Sequence, residues 1–356
     1  MTRPLAILSV GAVTPLGRDW RSTWEGLLAG RTSLLSTSDL GFAIDPPVMV
    51  GAIADLDREI DFHSRGPAAR LIRAAVGLVE LPDDLGSPTI WAGSNHGETG
   101  LLLEARTPSR DPLPGLALDE NCTWIASACT TGLHALFFCF LEARSRTGAW
   151  LAVAGDALSD IGVAGFARSG ATGRGFPQPL REKSPGMLVS EGAIAVGLGN
   201  CEALDHPAVL GIGISSDADH PTHPDATGRY VEFAVREALR SANVAAEDVV
   251  AVVAHGTGTT ANDEPEADMI ARVFGQGPMV TSAKGAAGHV MGAAGLLNVA
   301  IGAEIWRGGL VPPTTGDSPA RAGLRLSGEV VSVEKRRPVL ILASGFGGNN
   351  VAAVLG

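Results

Sequence analysis

Four places in this chain bring together residue types that could do chemistry. The first is Cys129, set among small residues in Trp124-Ile-Ala-Ser-Ala-Cys-Thr-Thr-Gly132 and followed by Leu133, Leu136, Phe137 and Phe140 at helical spacing. A thiol at a helix N-terminus meets unpaired N–H groups and the positive end of the dipole, so the spacing predicts a favoured thiolate and a nucleophile. The second is His255, which ends a fully apolar, β-branched run over 249–254 and opens His-Gly-Thr-Gly-Thr259, with Asn262, Asp263 and Glu266 close behind. The third is Ser282-Ala-Lys284 with Gly288-His289 and Gly292-Ala-Ala-Gly295, where small residues let another backbone approach and a buried lysine requires a partner such as Glu266. The fourth is Ser344-Gly345-Phe346-Gly347-Gly348, whose glycines free N–H groups around one apolar side chain. Taken singly, each has an ordinary structural reading: a small buried hydrophobe, a hydrogen-bonded core histidine, a small-residue helix contact, a turn.

The elements that must position these groups alternate in type. Apolar runs at 5–10, 89–92, 150–154, 193–198, 209–215, 249–254, 280–282, 330–333 and 339–342 predict strands, and helical spacing appears over 19–28, 65–79, 130–143, 228–241 and 292–306. Prolines among polar residues mark a loop over 106–120, and a second loop rich in Gly, Pro and Arg is expected over 168–186. The run Val209-Leu-Gly-Ile-Gly-Ile repeats the flavour of Ile7-Leu-Ser-Val-Gly-Ala, which suggests a duplicated α/β plan. In such sheets catalytic groups collect where strands end, and His255 is placed there.

Composition removes several classes. The 356 residues are 45% hydrophobic and 18% charged, with 46 glycines, enough apolar material for a large core and against disorder. No apolar run approaches the about 18 residues of a membrane span. A formal net charge of −11 disfavours nucleic acid, whose phosphates need a concentrated basic surface. The four cysteines, Cys122, Cys129, Cys139 and Cys201, show no C-x-x-C spacing, so a reducing, cytoplasmic setting fits and neither zinc nor disulfides are indicated. His220 and His223 beside Asp217 and Asp219 are too few fixed ligands, and no metal is assigned.

In its motifs the chain resembles the β-ketoacyl synthases of the thiolase-fold condensing enzymes, in the elongating branch that works on acyl carrier protein substrates. The likeness runs nearly end to end, through Gly11-Ala-Val-Thr-Pro-Leu-Gly17, Trp24-Glu-Gly-Leu-Leu-Ala-Gly-Arg31, Ala-Cys129-Thr-Thr-Gly, Ser190-Glu191-Gly192-Ala193 and Ser215-Ser-Asp217-Ala-Asp-His220. It continues through His255-Gly-Thr-Gly-Thr, Lys284 with Gly288-His289, and Gly345-Phe-Gly-Gly, in matching order and spacing. A nucleophile with base-like partners is the pattern activated-thiol catalysis requires.

The resemblance implies an α/β fold of thiolase type, with duplicated halves, 1–205 carrying the cysteine and 206–356 carrying both histidines, in an α-β-α-β-α layered architecture. It implies that Cys129 takes an acyl group, that the backbone N–H groups of Cys129 and Phe346 hold the oxyanion, and that His255 and His289 hold the enolate left by decarboxylation of a malonyl unit. Lys284 and Glu266 would form a supporting pair; Phe346 would gate the acyl pocket, with the loop from Asp217 to His223 as its mobile partner. Gly345, Gly347, Asp217, Thr257 and Thr259 would contact substrate. No cofactor is implied. Expected partners are a carrier protein bearing acyl and malonyl thioesters and a second subunit, as a homodimer or as a heterodimer with another ketosynthase-like chain. Arg65, Arg70, Arg73, Arg168, Arg174 and Arg181 are candidates for docking the acidic carrier. The readings set against this one are a catalytically weak, chain-length-factor-like subunit and a thiolase-like acyltransferase. The chain departs from the family in being shorter, chiefly between Trp91 and Cys129, and in carrying Leu342-Ala343-Ser344 where Asn-Ser-Phe is usual. A specialised substrate in fatty-acid-like, polyene or polyketide assembly is the expectation.

Overall fold

The computed structural model of the chain describes residues 4–56, 66–95, 122–173, 175–200, 205–321 and 323–356. In chain order its main elements begin with β1 (Leu5–Val13), α1 (Trp20–Leu28), α2 (Pro67–Val76), β2 (Thr89–Gly93), β3 (Cys122–Ile125), α3 (Thr131–Ala143), β4 (Ala149–Asp156), α4 (Asp160–Arg168) and β5 (Gly192–Asn200). They continue with β6 (Ala208–Ser216), α5 (Arg229–Ala242), β7 (Ala251–Val253), α6 (Thr260–Phe274), β8 (Met279–Thr281), α7 (Ala294–Gly308), β9 (Arg325–Leu326), β10 (Val339–Gly345) and β11 (Asn349–Leu355). Arg65, Arg174, Cys201 and the loop expected over 106–120 lie outside the described residues, as does most of the stretch between Trp91 and Cys129.

Eleven strands join in the order β9-β8-β7-β10-β11-β6-β1-β5-β4-β2-β3. The two arms that leave the central β6 and β1 pair have the same plan. One arm runs β1-β5-β4-β2-β3, two antiparallel pairings followed by two parallel ones. The other runs β6-β11-β10-β7-β8 with the same senses, and β9 adds one more parallel strand. The arms pair through Leu5↔Val209 and Ala6↔Ala208, with the Ile7 N–H also donating to the Pro207 carbonyl at 2.8 Å.

Residue parity along the strands builds the layers, because successive side chains point to opposite faces. Trp150, Ala152 and Ala154 of β4 and Val339, Ile341 and Ala343 of β10 pack with α3 and α7 in one cluster. Their alternates, Leu151 and Val153, pack with α2, while Leu340 and Leu342 pack with α5 and α6. Hence α3 and α7 form a central layer flanked by the two arms, with helices outside each, which is the five-layered thiolase-like fold. Helix α7 is apolar all round, with 12 of its 15 residues buried, as a helix covered on every side must be. It approaches α3 closely because Gly132 is a glycine: a Cβ there would lie 2.8 Å from the Leu296 side chain and 3.0 Å from the Gly292 carbonyl.

Five main-sheet or helical elements escape the periodicity argument. Residues 122–125 form β3 and 325–326 form β9; 160–168 form α4, ending where the expected loop begins; 260–274 form α6 where the sequence showed only a polar motif; and 349–355 form β11. Among the described residues no helix is long and apolar enough to cross a membrane.

Candidate active site

Cys129 stands two residues ahead of α3, on a turn that the local sequence forces. Ala128 has a φ of 52°, in the left-handed region that costs a non-glycine residue energy, so the turn must be held from outside. Thr130 Oγ1 donates to the Ser127 carbonyl at 2.6 Å, Thr131 Oγ1 donates to the Ala128 carbonyl at 2.7 Å, and Thr131 Oγ1 accepts from the Ser127 N–H at 3.0 Å. His134 braces the same turn through Ser127 Oγ at 3.0 Å, and burial lowers its pKa. The two threonines quoted with the nucleophile are therefore the clamps of its turn.

Cys129 is only 4% exposed, and this reverses the expected electrostatics. Burial pushes the thiol up to about 12, with Asp156 adding to the rise while Lys284 and a hydrogen bond from the Phe346 N–H oppose it. The resting sulfur is a thiol, not the thiolate expected from the helix terminus, because desolvation outweighs the dipole. The Phe346 N–H nevertheless lies near enough to lower the thiol's pKa, and a Cβ on Gly345 would sit 3.2 Å from the Cys129 nitrogen. The Phe346 turn thus packs against the Cys129 turn.

His255 follows β7, and two buried groups fix its backbone from opposite sides. Glu266 accepts the His255 N–H at 2.6 Å and the Gly256 N–H at 2.7 Å, while the Lys284 ammonium donates to the His255 carbonyl and lies 3.4 Å from its Nδ1. Lys284 and Glu266 do not form the direct ion pair expected of them; each is spent on His255, with Asn262 Nδ2 donating to Glu266 at 3.0 Å. Burial raises the Glu266 carboxyl and lowers the Lys284 ammonium, each moving towards its neutral form. Burial, then the Lys284 charge, holds His255 well below the usual imidazole range, so it is neutral.

His289 meets His255 edge to face, with ring centroids 5.4 Å apart. Its backbone is stitched into residues 188–190 by its own N–H to the Leu188 carbonyl at 2.7 Å and by the Ser190 N–H to its carbonyl at 2.9 Å. Gly288 has a φ of +72°, and a Cβ there would lie 2.7 Å from Ser190 Cβ, so only glycine fits. Ser190 Oγ donates to the Ala287 carbonyl at 2.8 Å, and Glu191 accepts from the Ile53 N–H at 2.7 Å, so the Ser190-Glu191 motif supports the histidine loop.

Cys129, His255 and His289 line one cavity of about 320 Å³, together with Thr257, Thr259, Asn262, Ser344, Gly345 and Phe346. The structure thus brings the cysteine, both histidines and the Phe346 turn to one space, with Lys284 and Glu266 behind them. Asp217 and Gly347 do not line it. The Asp217 carboxylate accepts the N–H groups of Asp219 at 3.2 Å and Asp225 at 3.0 Å, and so organises its own loop. That loop walls the cavity through Thr222, His223 and Pro224 and is tied to the Phe346 turn by the Gly347 N–H to the Pro221 carbonyl at 2.9 Å. Phe346 rests 5.5 Å from the Phe166 ring. His220 and His223 face each other, Nδ1 to Nδ1, at 3.0 Å, and no group of three or more metal-capable side chains occurs among the described residues.

Arg181 is not a docking group. It is 7% exposed, and its guanidinium donates to the carbonyls of Thr314, Thr315 and Ser318 at 3.0, 3.1 and 2.7 Å. Two site residues went unnoticed in the sequence. Asp156, fully buried at the end of β4, accepts from Ser94 Oγ at 2.7 Å, the Asn95 N–H at 2.8 Å and the Gly292 N–H at 2.8 Å. Asn298 on α7 donates to the carbonyls of Ala254 and Leu342 at 3.1 and 3.0 Å, joining β7 to β10 beneath His255. An acid closing a fully apolar strand was the available signal for Asp156.

Comparison with known proteins agrees with this geometry. Residues 206–316 match the family model described as the β-ketoacyl synthase C-terminal domain. The chain is 31% identical to Nodulation protein E of Rhizobium meliloti, covering 98% of each protein. It is 26% identical to 3-oxoacyl-[acyl-carrier-protein] synthase 2 of Coxiella burnetii, covering 99% of this chain and 98% of that one. Among solved structures it is similar to the ishigamide ketosynthase/chain length factor, with a TM-score of 0.84 at 26% identity over 100% of this chain and 99% of that chain. Matched end to end in sequence and in fold, the chain belongs to the β-ketoacyl synthase family.

Proposed function

We propose that this chain is a catalytically competent ketosynthase that joins an acyl group, carried on Cys129, to a malonyl-type unit delivered by an acyl carrier protein, in fatty-acid-like, polyene or polyketide assembly. The observation that carries the reading is the convergence of Cys129, His255 and His289 on one cavity that the Phe346 turn also lines. A subunit that only shaped a partner's pocket would have no use for a buried thiol facing two imidazoles.

The chemistry follows from the charges. The Cys129 thiol attacks the acyl thioester; a sulfur–carbon bond forms, the pantetheine carbon–sulfur bond breaks, and the thiol proton ends on the departing pantetheine sulfur. The tetrahedral oxyanion is held by the N–H groups of Cys129 and Phe346. The positive N-terminus of α3 then acts on charge as it develops, not on a resting thiolate. In the second half, the bond between C2 and the carboxylate of the malonyl unit breaks, carbon dioxide leaves, and the electron pair becomes an enolate whose oxygen accepts from His255 and His289. A neutral His255 suits this, since it supplies an N–H without a charge that would grip the departing carboxylate. The enolate carbon attacks the acyl carbonyl, the carbon–sulfur bond to Cys129 breaks, and Cys129 leaves as thiolate and takes one proton from solvent, the proton that decarboxylation consumes overall.

In this reading the divide at 205/206 separates a half that holds the acyl group from a half, 206–356, that activates the extender. The partners are the carrier protein, met by basic groups such as Arg70, Arg73 and Arg168, and a second subunit, either a copy of this chain or a ketosynthase-like chain. The similar ketosynthase/chain length factor structure supports the second form. Intact-mass analysis after incubation with acyl carrier thioesters tests the assignment: wild type gains the acyl mass, Cys129→Ala does not. An adduct that persists in Cys129→Ala, or none with any primer, overturns it.

A further inference from the structure

Asp156 closes β4 and is fully buried, and its two carboxylate oxygens face different parts of the site. Oδ1 accepts from Ser94 Oγ at 2.7 Å and from the Asn95 N–H at 2.8 Å, in the two residues that follow β2. Oδ2 accepts the Gly292 N–H at 2.8 Å. Gly292 lies three residues beyond His289, in the turn Met291–Ala293 that leads into α7. One buried carboxylate therefore joins the strand ends of the first arm to the segment that carries the second imidazole. Burying a carboxylate costs free energy that these donors offset, so its charge fixes their positions.

The histidine segment has to be held from outside. Met291 has a φ of 47°, left-handed for a residue with a side chain, and such a conformation persists only where the surroundings enforce it. Before Met291, the His289 backbone is bonded to residues 188–190. After it, the Gly292 N–H is bonded to Asp156. The same place touches the nucleophile's turn. A Cβ on Gly292 would lie 2.9 Å from Asp156 Oδ2 and 3.3 Å from Thr131 Cβ, and Thr131 is one of the clamps of the Cys129 turn. The carboxylate also acts on the sulfur through space, since its charge adds to the rise of the Cys129 thiol.

We infer that Asp156 is a positioning residue: through Gly292 it holds the His289 segment against the Cys129 turn, and so it governs condensation and not acylation. This rests on the proposed condensing function. Acylation uses the thiol and the backbone donors near it. Condensation needs the His289 ring at the enolate oxygen, where a misplacement of about 1 Å costs about 10²-fold.

The test uses the full-length protein and follows two steps in single-turnover assays, acylation of Cys129 by intact mass and carbon dioxide release from a malonyl carrier thioester. In Asp156→Asn the amide keeps its oxygen on Ser94 and Asn95, two donors against one, and turns its NH2 towards the Gly292 N–H. Condensation falls about 10²-fold, while acylation is unchanged or faster. The pH profile of Cys129 alkylation moves to lower pH, because a negative charge near the thiol has gone. Gly292→Ala breaks the same contact from the other side and keeps the charge: condensation falls, and the alkylation profile stays where it is in wild type. This second variant decides the matter should Asp156→Asn not fold. Condensation at the wild-type rate in Gly292→Ala, or an equal loss of acylation and condensation in either variant, overturns the inference and leaves the condensing function intact. An acylated wild type that releases no carbon dioxide overturns the condensing function itself.

Discussion

The two arms of the sheet share strand order and strand sense, yet they treat charge in opposite ways. In the first arm the site is a single strained turn after β3, where one thiol is kept neutral by burial beside the Phe346 turn. In the second arm, the segments after β7 and β8 carry His255, Lys284 and His289, and helix α6 adds Glu266, an acid, a base and two imidazoles that are all buried. The difference teaches that the repeated framework supplies positions, namely strand ends facing the central helices, while the chemistry comes from what each position buries. One side keeps its nucleophile neutral by burial, which in the proposed reaction holds an acyl group without stabilising charge in advance. The other spends its acid and its base on fixing one neutral imidazole, His255.

The comparison can be broken most severely on the histidine side. Replacing His289 with Ala removes one enolate donor, and loss of a single such donor costs about 10²–10³ in kcat. Single-turnover assays should find condensation reduced by that factor while acylation of Cys129 proceeds; equal loss of both steps would mean that the two arms do not divide the reaction.

Next in size is Glu266→Gln, which keeps the shape but replaces an acceptor-only group that binds two backbone N–H groups and the Asn262 amide. Leaving one buried N–H without its acceptor costs about 1–3 kcal/mol. Thermal unfolding should show this as a lower Tm, and condensation should fall because His255 loses its anchor.

A pH measurement sharpens the contrast on the cysteine side. A thiol raised to about 12 is protonated at neutral pH, so the alkylation rate of Cys129, followed by peptide mass, should climb about tenfold per pH unit through pH 10. A plateau near pH 8 would show a preformed thiolate. For stability the sign is that of a raised folded pKa: the native state holds its proton longer than the unfolded chain, so this contribution is full below the ordinary thiol pKa and is lost as pH rises through the folded value.

The smallest effect is expected at Ala128→Gly. The left-handed φ of 52° favours glycine, while glycine loosens the unfolded chain, so the net change should stay within about 1 kcal/mol, and calorimetry should find a Tm at or slightly above that of wild type.

Much of this was legible in the residues because burial and periodicity coincide in the core. The runs at 150–154 and 193–198 announced strands, and the run ending in His255 placed an imidazole at a strand end, as found. Helix α6 was not legible: its first turns carry Asn262, Asp263, Pro265 and Glu266, and Asp263 and Glu266 are buried because they bind loop N–H groups, which leaves no apolar stripe there to read. Strand β11 was hidden because Asn349 and Asn350 open it, and its pairing with β10 and β6 is long-range. The state of Cys129 was misread for a related reason. A helix terminus is visible in sequence, whereas the depth at which the fold buries it is not. Arg181 belongs to the same class, a charge that reads as surface and is spent on three carbonyls.

The central claim is that an acyl group held by one arm is consumed by an enolate made in the other. The most direct measurement follows acyl-Cys129 by intact mass while carbon dioxide is counted after addition of a malonyl-type carrier thioester. The account predicts that each acyl adduct lost is matched by one carbon dioxide and one β-ketoacyl product. Loss of the adduct by hydrolysis or exchange, without carbon dioxide, would contradict it.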